Sequence, residues 1–266
     1  MMELAKTAFV LSGGGAGGAF QIGVLQRLAE EGIVPQAIYG TSVGALNAAG
    51  IAYMGLDDLT EFWLSIKGRG DIFSRNWLAY LGLAEGLYSH KPLKSIIDSK
   101  IKGTPSLKAV VSNVSMFSGE VHYVSSEAPI DVFKKHLLAS ACVPFWTDLV
   151  DGQWADGGIR EHTPVMAPIR DGFDNIYVIA CNPYPRGVRK ESWIGGWPKN
   201  LKSGLRAIDL LENEVFLSDI EQSHAYSVSV KVFSPRPERI LDTFEFDPGL
   251  IRKAIVQGRL AYDTQK

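Results

Sequence analysis

The residues of this sequence that could do chemistry are a serine and an aspartate, each set among glycines. The serine, Ser42, is the centre of the G-x-S-x-G pentapeptide that runs from Gly40 to Gly44, between a short apolar segment and a helical pattern. A serine at the tip of a sharp strand-to-helix turn adopts a strained backbone and exposes its hydroxyl, and flanking glycines leave room for the turn to close. The helix that follows directs the positive end of its dipole at developing negative charge. The pentapeptide therefore predicts a nucleophilic serine at position 42.

A glycine-rich segment lies upstream, where GGGAGG follows one apolar segment and precedes another helical pattern. Glycines allow backbone N–H groups to approach a substrate oxygen at a helix N-terminus, which is how an oxyanion hole is built. We expect Gly13, Gly14 and Gly15 to supply these groups, with Gly18 supporting the turn.

The same segment contains G-x-G-x-x-G, the fingerprint of dinucleotide binding, so a second function has to be considered. That fingerprint requires an acidic residue about 20 positions later, at the end of the second strand. The corresponding stretch, Ile33–Gly40, contains no acid, and no Gly-Lys-Ser/Thr follows the glycines as a phosphate loop would require. A non-catalytic nucleotide-binding module is kept as the alternative from a different functional class.

A carboxylate that could serve the serine lies near mid-chain, in DGQWADGG. A serine hydroxyl needs a proton acceptor, and the tight turn predicted at Gly157-Gly158 can bring Asp156 into contact with it. The earlier Asp151-Gly152 pair is typical of a hairpin turn. We therefore interpret Asp156 as the candidate base and Asp151 as a turn residue.

Composition restricts the classes of function. Lys and Arg number 27 against 29 Asp and Glu, a net charge of −2, so the basic surface of a dedicated nucleic-acid binder is not expected. The cysteines are only two, Cys142 and Cys181, which excludes a disulfide framework. The five histidines are scattered, and neither C-x-x-C nor H-E-x-x-H occurs, so nothing indicates a metal site. We expect a cytoplasmic protein or one peripheral to a membrane.

Two segments bear on membrane insertion. The first residues include Glu3 and lack the basic-then-apolar order of a secretory signal, so no signal peptide is expected. The range Gly32–Leu56 carries no charge and is long enough to span a bilayer, but it combines Pro35 and several polar residues with five glycines. We interpret it as a buried strand, a tight turn and a buried helix, and expect no transmembrane helix.

The elements that position these residues alternate between strands and helices. The predicted strands are Thr7–Ser12, Ala37–Gly40, Lys108–Ser115, Glu120–Ser125, Asn175–Ala180 and Ser227–Phe233. The predicted helices are Ala19–Glu31, Val43–Met54, a helix ending near Lys67 with a capping box of Asp58 and Glu61, one from Pro92 to about Lys100, Ile130–Ala139, Leu201–Tyr226 and Pro248–Tyr262. This alternation predicts a mostly parallel sheet with helices on both faces, in one domain covering residues 1–266.

Two long segments between these elements are interpreted as loops. Asp71–Leu87 is aromatic and leucine-rich without clear periodicity, and Asn182–Pro198 is rich in proline. Within them, Phe73–Leu87 and Trp193–Trp197 are candidates for covering the site or touching a lipid surface.

Together the three glycine constellations resemble the patatin-like phospholipase family. The matching segments are SGGGAGGAFQIGVLQRL, YGTSVGALNA and SACVPFWTDLVDGQWADGGIREHTPV, in the order and spacing that the family shows. The resemblance covers about residues 7–180, whereas the C-terminal part, about 200–264, is looser. Ser42 matches the family nucleophile, Asp156 its partner in a catalytic dyad, and Gly13, Gly14 and Gly15 its oxyanion loop. One departure is Gly17, which stands where the family usually has Arg or Lys.

The resemblance implies a three-layer α/β/α fold and a serine acyl hydrolase that uses no histidine, metal or organic cofactor. In such an enzyme Asp156 accepts the proton of Ser42 as its oxygen attacks an ester carbonyl, and water then hydrolyses the acyl-enzyme. The implied partner is a lipid substrate, namely a phospholipid, lysophospholipid or acylglycerol, with transient contact to a membrane surface and no nucleic acid. A histidine-dependent α/β-hydrolase that recruits His162 or His224 is kept as the second alternative.

Overall fold

A computed structural model of the chain describes residues 6–77, 86–185, 199–236 and 243–265. The strands are β1 Thr7–Leu11, β2 Ala37–Thr41, β3 Ser74–Arg75, β4 Tyr88–Ser89, β5 Lys108–Ser115, β6 Val121–Ser125, β7 Trp154–Asp156, β8 Asn175–Ile179 and β9 Ser229–Phe233. The helices are α1 Gly18–Glu30, α2 Val43–Met54, α3 Leu56–Ser65, α4 Lys91–Lys100, α5 Ile130–Ala139, α6 Met166–Arg170, α7 Lys199–Ser223 and α8 Pro248–Gln265.

The central sheet is mostly parallel. Its strand order is β6-β5-β2-β1-β8-β9, and the five strands from β5 to β9 in this order pair in parallel. The strands β6 and β7 both pair with β5 in the antiparallel sense. Parallel neighbours place the carboxyl ends of β1, β2 and β5 at one edge of the sheet, which is where ligands bind in folds of this kind.

Helices cover both faces of this sheet, because its strands carry apolar side chains on both sides. Alternate residues of β1 separate accordingly: Phe9 and Leu11 join a core with α1, α2, α5 and α8. Ala8 and Val10 join a second core with α6 and α7, where Phe216 and Ile220 are fully buried. The three-layer α/β/α arrangement confirms the predicted fold class.

Most predicted elements are confirmed within one to three residues, and the deviations have physical reasons. The capping box is wrong, because α3 begins at Leu56 and Asp58 lies inside its first turn without a capping bond. The helix starts early because Gly55, with φ of 85°, already turns the chain out of α2. The short elements β3, β4, β7 and α6 were not predicted, since two to five residues carry too little periodicity.

The charge-free range Gly32–Leu56 folds as interpreted, into β2 and the buried helix α2. Within the ranges that the structure describes, no helix combines the length and the apolar character needed to cross a membrane. Of the two predicted loops, residues 78–85 and 186–198 lie outside the described residues. The described part of the first loop contains β3, which pairs with β4.

Candidate active site

Ser42 is the sharp turn between β2 and α2, and its backbone is strained. Its φ is 56° and its ψ −127°, a conformation that side-chain-bearing residues rarely adopt. The turn requires glycine on either side. A Cβ added to Gly40 would lie 2.3 Å from the carbonyl oxygen of Gly44, and a Cβ added to Gly44 would lie 2.1 Å from that of Leu11. The amide of Ser42 donates to Oγ of the buried Ser140 at 2.9 Å. The elbow is therefore held from both sides, and Ser42 itself stays partly exposed.

The register of β5 explains how Asp156 comes to lie beside Ser42. Along one edge of β5, Ser112 pairs with Thr41, the last residue of β2, and the next residue, Asn113, pairs with Asp156 of β7. The strand β7 thus continues the edge at the point where β2 turns away at Ser42. Its position is fixed further by the Asp156 amide, which donates to the Cys142 carbonyl oxygen at 2.8 Å. Two segments far apart in sequence therefore meet at one point of a shared neighbouring strand.

The carboxylate of Asp156 is buried, with only 4% of its surface exposed. Burial raises its pKa to about 7, while the neighbouring Ser42 hydroxyl and the Gly158 amide oppose this rise by favouring the charged form. The Gly158 amide donates to Oδ1 at 2.7 Å. The other carboxylate oxygen of Asp156, Oδ2, accepts no well-formed hydrogen bond from any residue that the structure describes. Asp156 therefore keeps one buried oxygen with capacity to accept a proton.

The glycine-rich loop follows β1 and lies against Ser42. An added Cβ at Gly13 would lie 3.3 Å from Cβ of Ser42, which shows how closely the two segments approach. Gly14 and Gly15 have φ of 143° and 56°, in the region that favours glycine. Among the described residues, the amides of Gly14 and Gly15 donate to no acceptor in the protein. These two amides are thus available to a ligand.

The third predicted donor differs. The Gly13 amide donates to the carbonyl oxygen of His162 at 3.0 Å, so it belongs to the internal bonding of the loop. Of the three predicted donors, Gly13 is thus occupied within the protein and anchors the loop, which leaves Gly14 and Gly15 as the candidates. The next residue, Ala16, is also occupied, since its amide donates to the Thr243 oxygen at 2.9 Å.

The remaining motif glycines serve close packing. An added Cβ at Gly18 would lie 2.4 Å from Val43, and one at Gly157 would lie 2.5 Å from Oγ of Ser112. At Gly17, where the family usually has Arg or Lys, an added Cβ would lie 3.2 Å from Cβ of Cys181. The buried Cys181 therefore occupies the space at the position that departs from the family pattern.

A buried amide network fixes the loop to the helices. Nδ2 of Asn47 donates to the Gly18 oxygen and to Oε1 of Gln21, and Oδ1 of Asn47 accepts from the Trp63 indole at 2.8 Å. Nε2 of Gln21 donates to the oxygen of Ser12 at 2.9 Å, directly before the glycines. Such a network holds the loop, α1, α2 and α3 in one arrangement.

His162, one of the two histidines of the triad alternative, lies at the site. Its buried ring comes within 3.2 Å of a Cβ placed on Gly13 and packs edge-on against Phe216, 5.7 Å between centroids. The carboxylate of Asp219 on α7 accepts from the amide of Thr163 at 2.8 Å and from that of His162. Burial raises the pKa of Asp219 to about 8. The other histidine, His224, is exposed in the turn after α7.

Sequence reasoning missed Ser140, Asp219 and Thr243. None of them carries a motif, and each reaches the site from an element distant in sequence. The only available signal was the inclusion of Ser140 in the segment that precedes the Asp156 motif.

An apolar cavity opens directly beside Ser42. Its walls come from α2, α3 and α4, and it is closed by aromatic residues that include Phe73, Trp146 and Phe244. Asn47 lines the cavity, but its amide is used by the network described above. The walls of this cavity are mostly apolar, which suits a hydrocarbon chain better than a nucleotide base. Among the described residues, no group of three or more His, Cys, Asp or Glu side chains could hold a metal ion.

Several known proteins are similar to this chain in sequence or in fold. The chain is similar to the triacylglycerol lipase ptl3 of Schizosaccharomyces pombe, at 54% identity over 47 residues, 18% of this chain and 10% of that protein. Its fold resembles the crystal structure of VipD from Legionella pneumophila, with a TM-score of 0.52 and 14% identity, covering 99% of this chain and 67% of that one. The type III effector ExoU matches with a TM-score of 0.42 and 14% identity, covering 99% of this chain and 53% of that one.

A family model decides the relationship. The model of the patatin-like phospholipase family matches residues 9–169, which is more than half of the chain and includes the glycine loop, the serine elbow and the Asp156 motif. The chain therefore belongs to the patatin-like phospholipase family.

Proposed function

We propose that this chain hydrolyses lipid acyl esters, with Ser42 as nucleophile and Asp156 as its proton acceptor. The observation that carries the proposal is the register of β5, which sets a strained serine at a helix N-terminus against a buried carboxylate. The glycine-rich loop lies against the serine, and its Gly14 and Gly15 amides donate to no acceptor among the described residues. A nucleophile, a base and oxyanion donors are the parts that acyl transfer needs.

The proposed reaction proceeds in two stages. Asp156 accepts the proton of Ser42 as Oγ attacks the ester carbonyl, and the amides of Gly14 and Gly15 donate to the oxyanion of the tetrahedral intermediate. When the intermediate collapses, the bond to the alcohol oxygen breaks and the proton passes from Asp156 to the leaving alcohol. Water then attacks the acyl-enzyme and gives its proton to Asp156, and the fatty acid leaves as the Ser42 hydroxyl is restored.

The substrate class follows from the cavity beside Ser42. Its apolar walls suit the acyl chain of a phospholipid, lysophospholipid or acylglycerol. Triacylglycerol is one candidate within this class, because the ptl3 protein that the chain matches is a triacylglycerol lipase. The match covers 10% of the length of that protein. Contact with a membrane or lipid droplet surface would present such a substrate to the cavity.

We also propose that the C-terminal part belongs to the same domain as the motif-bearing part. Support comes from β9, which pairs with β8 in the central sheet, and from α8, which packs on α1. A domain boundary near residue 200 would expose both of these contacts.

A covalent label tests the nucleophile. An active-site fluorophosphonate should label the wild type and fail to label Ser42→Ala, because among the described residues Ser42 is the one serine with positive φ, and it lies beside the proposed oxyanion loop. Ser140→Ala is a useful comparison, since Ser140 positions the elbow by accepting the Ser42 amide, and its loss should slow the labelling without abolishing it. Labelling of the folded Ser42→Ala variant at another serine would contradict the assignment.

The histidine-dependent alternative has one observation in its favour, the proximity of His162. In a triad the histidine carries the proton, so its loss is as damaging as loss of the serine. In the proposed dyad, Asp156→Asn should reduce kcat by several orders of magnitude, whereas His162→Gln should retain most of the activity. A folded His162→Gln variant as inactive as Ser42→Ala would establish the triad instead.

A further inference from the structure

The helix α2 presents one face to the apolar cavity over its whole length. The lining residues Ser42, Leu46, Gly50 and Met54 recur at four-residue intervals, which is the spacing of one helical face. Because an α-helix rises about 1.5 Å per residue, Met54 lies about 18 Å beyond Ser42 along the axis. The wall beside the proposed nucleophile is thus about 18 Å long.

The helix α4 also lines the cavity, from its first turn to its last residue. At its start, Nδ1 of His90 lies 3.7 Å from Sγ of Cys142, whose carbonyl oxygen accepts the Asp156 amide. After its end, the Ser106 amide donates to the Ala52 oxygen near the C-terminus of α2, at 2.7 Å. The cavity therefore extends from the site to the far ends of both helices, where Ile101 and the exposed Lys100 line it.

Gly50 lies about two-thirds of the way along this cavity. An added Cβ there would lie 2.7 Å from Cδ1 of Leu59, a cavity-lining residue of α3. Any side chain at position 50 would thus occupy space between α2 and α3. Gly50 therefore lets Leu59 pack closely against α2, and a larger residue at position 50 would displace Leu59, which lines the same cavity.

We propose that the cavity-lining face of α2 is a ruler for acyl chains, with Gly50 as the residue that admits long ones. An extended chain advances about 1.25 Å per carbon, given tetrahedral C–C bonds of about 1.5 Å. With its carbonyl at Ser42, about 10 carbons reach Gly50 and about 14 reach Met54. The preferred substrate class is therefore a long-chain acyl ester, and this inference rests on the proposed hydrolase activity.

A graded set of variants tests the ruler. We would fill the cavity at Leu46→Trp, Gly50→Leu and Met54→Trp, one position at a time. The substrates are butanoyl, octanoyl, dodecanoyl and hexadecanoyl p-nitrophenyl esters, in mixed micelles at a fixed mole fraction. The measured quantity is kcat/KM for each ester relative to that for the butanoyl ester in the same variant. Ile51→Leu is the matched control, because it neighbours Gly50 on α2 but does not line the cavity.

The expected losses follow the order of the positions. Relative to wild type, the kcat/KM ratio of Leu46→Trp should fall about tenfold for the octanoyl and longer esters. That of Gly50→Leu should fall by the same factor for the dodecanoyl and hexadecanoyl esters. Burial of a few methylene groups accounts for a change of this size. In Met54→Trp the ratio should fall for the hexadecanoyl ester alone. If Gly50→Leu does not fold, Gly50→Ala and Met54→Trp still give two steps.

Folded variants that keep the wild-type profile, or lose all esters in equal proportion, would overturn the ruler. A wild type that cleaves no ester would contradict the proposed function separately. In that case, displacement of a fluorescent fatty acid by free acids of the same lengths still decides the ruler, because binding needs no catalysis. The same stepwise order of affinities is expected, and its absence would reject the inference.

Discussion

At the scale of single residues, the burial of Asp156 controls when the proposed dyad can work. Its pKa is raised to about 7, so the carboxyl is protonated and unable to accept the Ser42 proton at lower pH. We predict that kcat/KM rises with pH and levels off above about pH 7. A profile measured on a soluble ester whose leaving group does not titrate in this range checks it. A limb near the ordinary aspartate pKa would show that the free enzyme does not carry this shift.

The same burial means that ionisation of Asp156 lowers the stability of the folded protein. A carboxyl whose pKa is raised in the folded state stabilises it only while protonated, and this stability is lost as pH rises from the ordinary aspartate value of 3.8 toward about 7. Asp156→Asn should therefore raise Tm at pH 8 and have a smaller effect at pH 5, while abolishing activity. Thermal unfolding at the two pH values measures this difference. An equal Tm change at both would remove ionisation as the cause.

The oxyanion donors make a second prediction at this scale. Gly14→Ala forces a side chain onto φ of 143° and should lower kcat by roughly 10²–10³, the usual cost of one misplaced oxyanion donor. Gly15→Ala is unsuitable, because its Cβ would lie 2.1 Å from the Thr243 oxygen and would displace that segment. Gly32→Ala is the matched control, since Gly32 also has positive φ but open space around it. Equal kcat in both folded variants would give the loop a structural role only.

At the scale of elements, two glycines let α1 and α8 cross in direct backbone contact. A Cβ added to Gly23 would lie 1.9 Å from the carbonyl oxygen of Ile255, and a Cβ added to Gly258 would lie 2.0 Å from that of Phe20. In most helices Gly→Ala is stabilising, but here the two backbones would have to separate.

We therefore predict that Gly258→Ala lowers the free energy of unfolding by about 1–3 kcal/mol, as overpacking usually does. Urea unfolding measures it, with Val256→Ala on the exposed side of α8 as the control. Because α1 directly follows the glycine loop, activity should fall at temperatures below the unfolding transition. A Gly258→Ala variant as stable as wild type would mean that the helices separate at little cost.

At the scale of the whole molecule, the site and an exposed aromatic residue share one edge of the sheet. Phe117 is 79% exposed and follows the carboxyl end of β5, beside which Ser42 and Asp156 lie. An exposed apolar side chain at the edge of the sheet that carries the site favours adsorption to a lipid surface.

We predict that activity on a short-chain phospholipid rises as its concentration crosses the micelle threshold. Phe117→Ser should reduce this rise, whereas Val34→Ser should not, because Val34 is exposed to a similar extent but lies at the opposite edge of the sheet, before β2. Initial rates measured across the threshold decide the matter. Smooth saturation through the threshold would remove the interfacial claim and leave the hydrolase intact.

The sequence by itself determined the local features of this protein. Periodicity and glycine positions predicted the main strands and helices, because each is a property of consecutive residues. The elbow at Ser42 was also predictable, since G-x-S-x-G between a strand and a helix has few other uses. The Asp151-Gly152 turn was predicted for the same reason and has positive φ at both residues.

Only the tertiary structure decided how these features meet. The pairing of β5 with both β2 and β7 brings Ser42 to Asp156, and a strand of three residues such as β7 carries no signal of its own. Likewise, the Gly13 amide is occupied because His162, distant in sequence, presents its carbonyl oxygen there. The pKa of Asp156 and the length of the cavity are also collective, since burial depends on every element packed around a group and not on its neighbours in the chain.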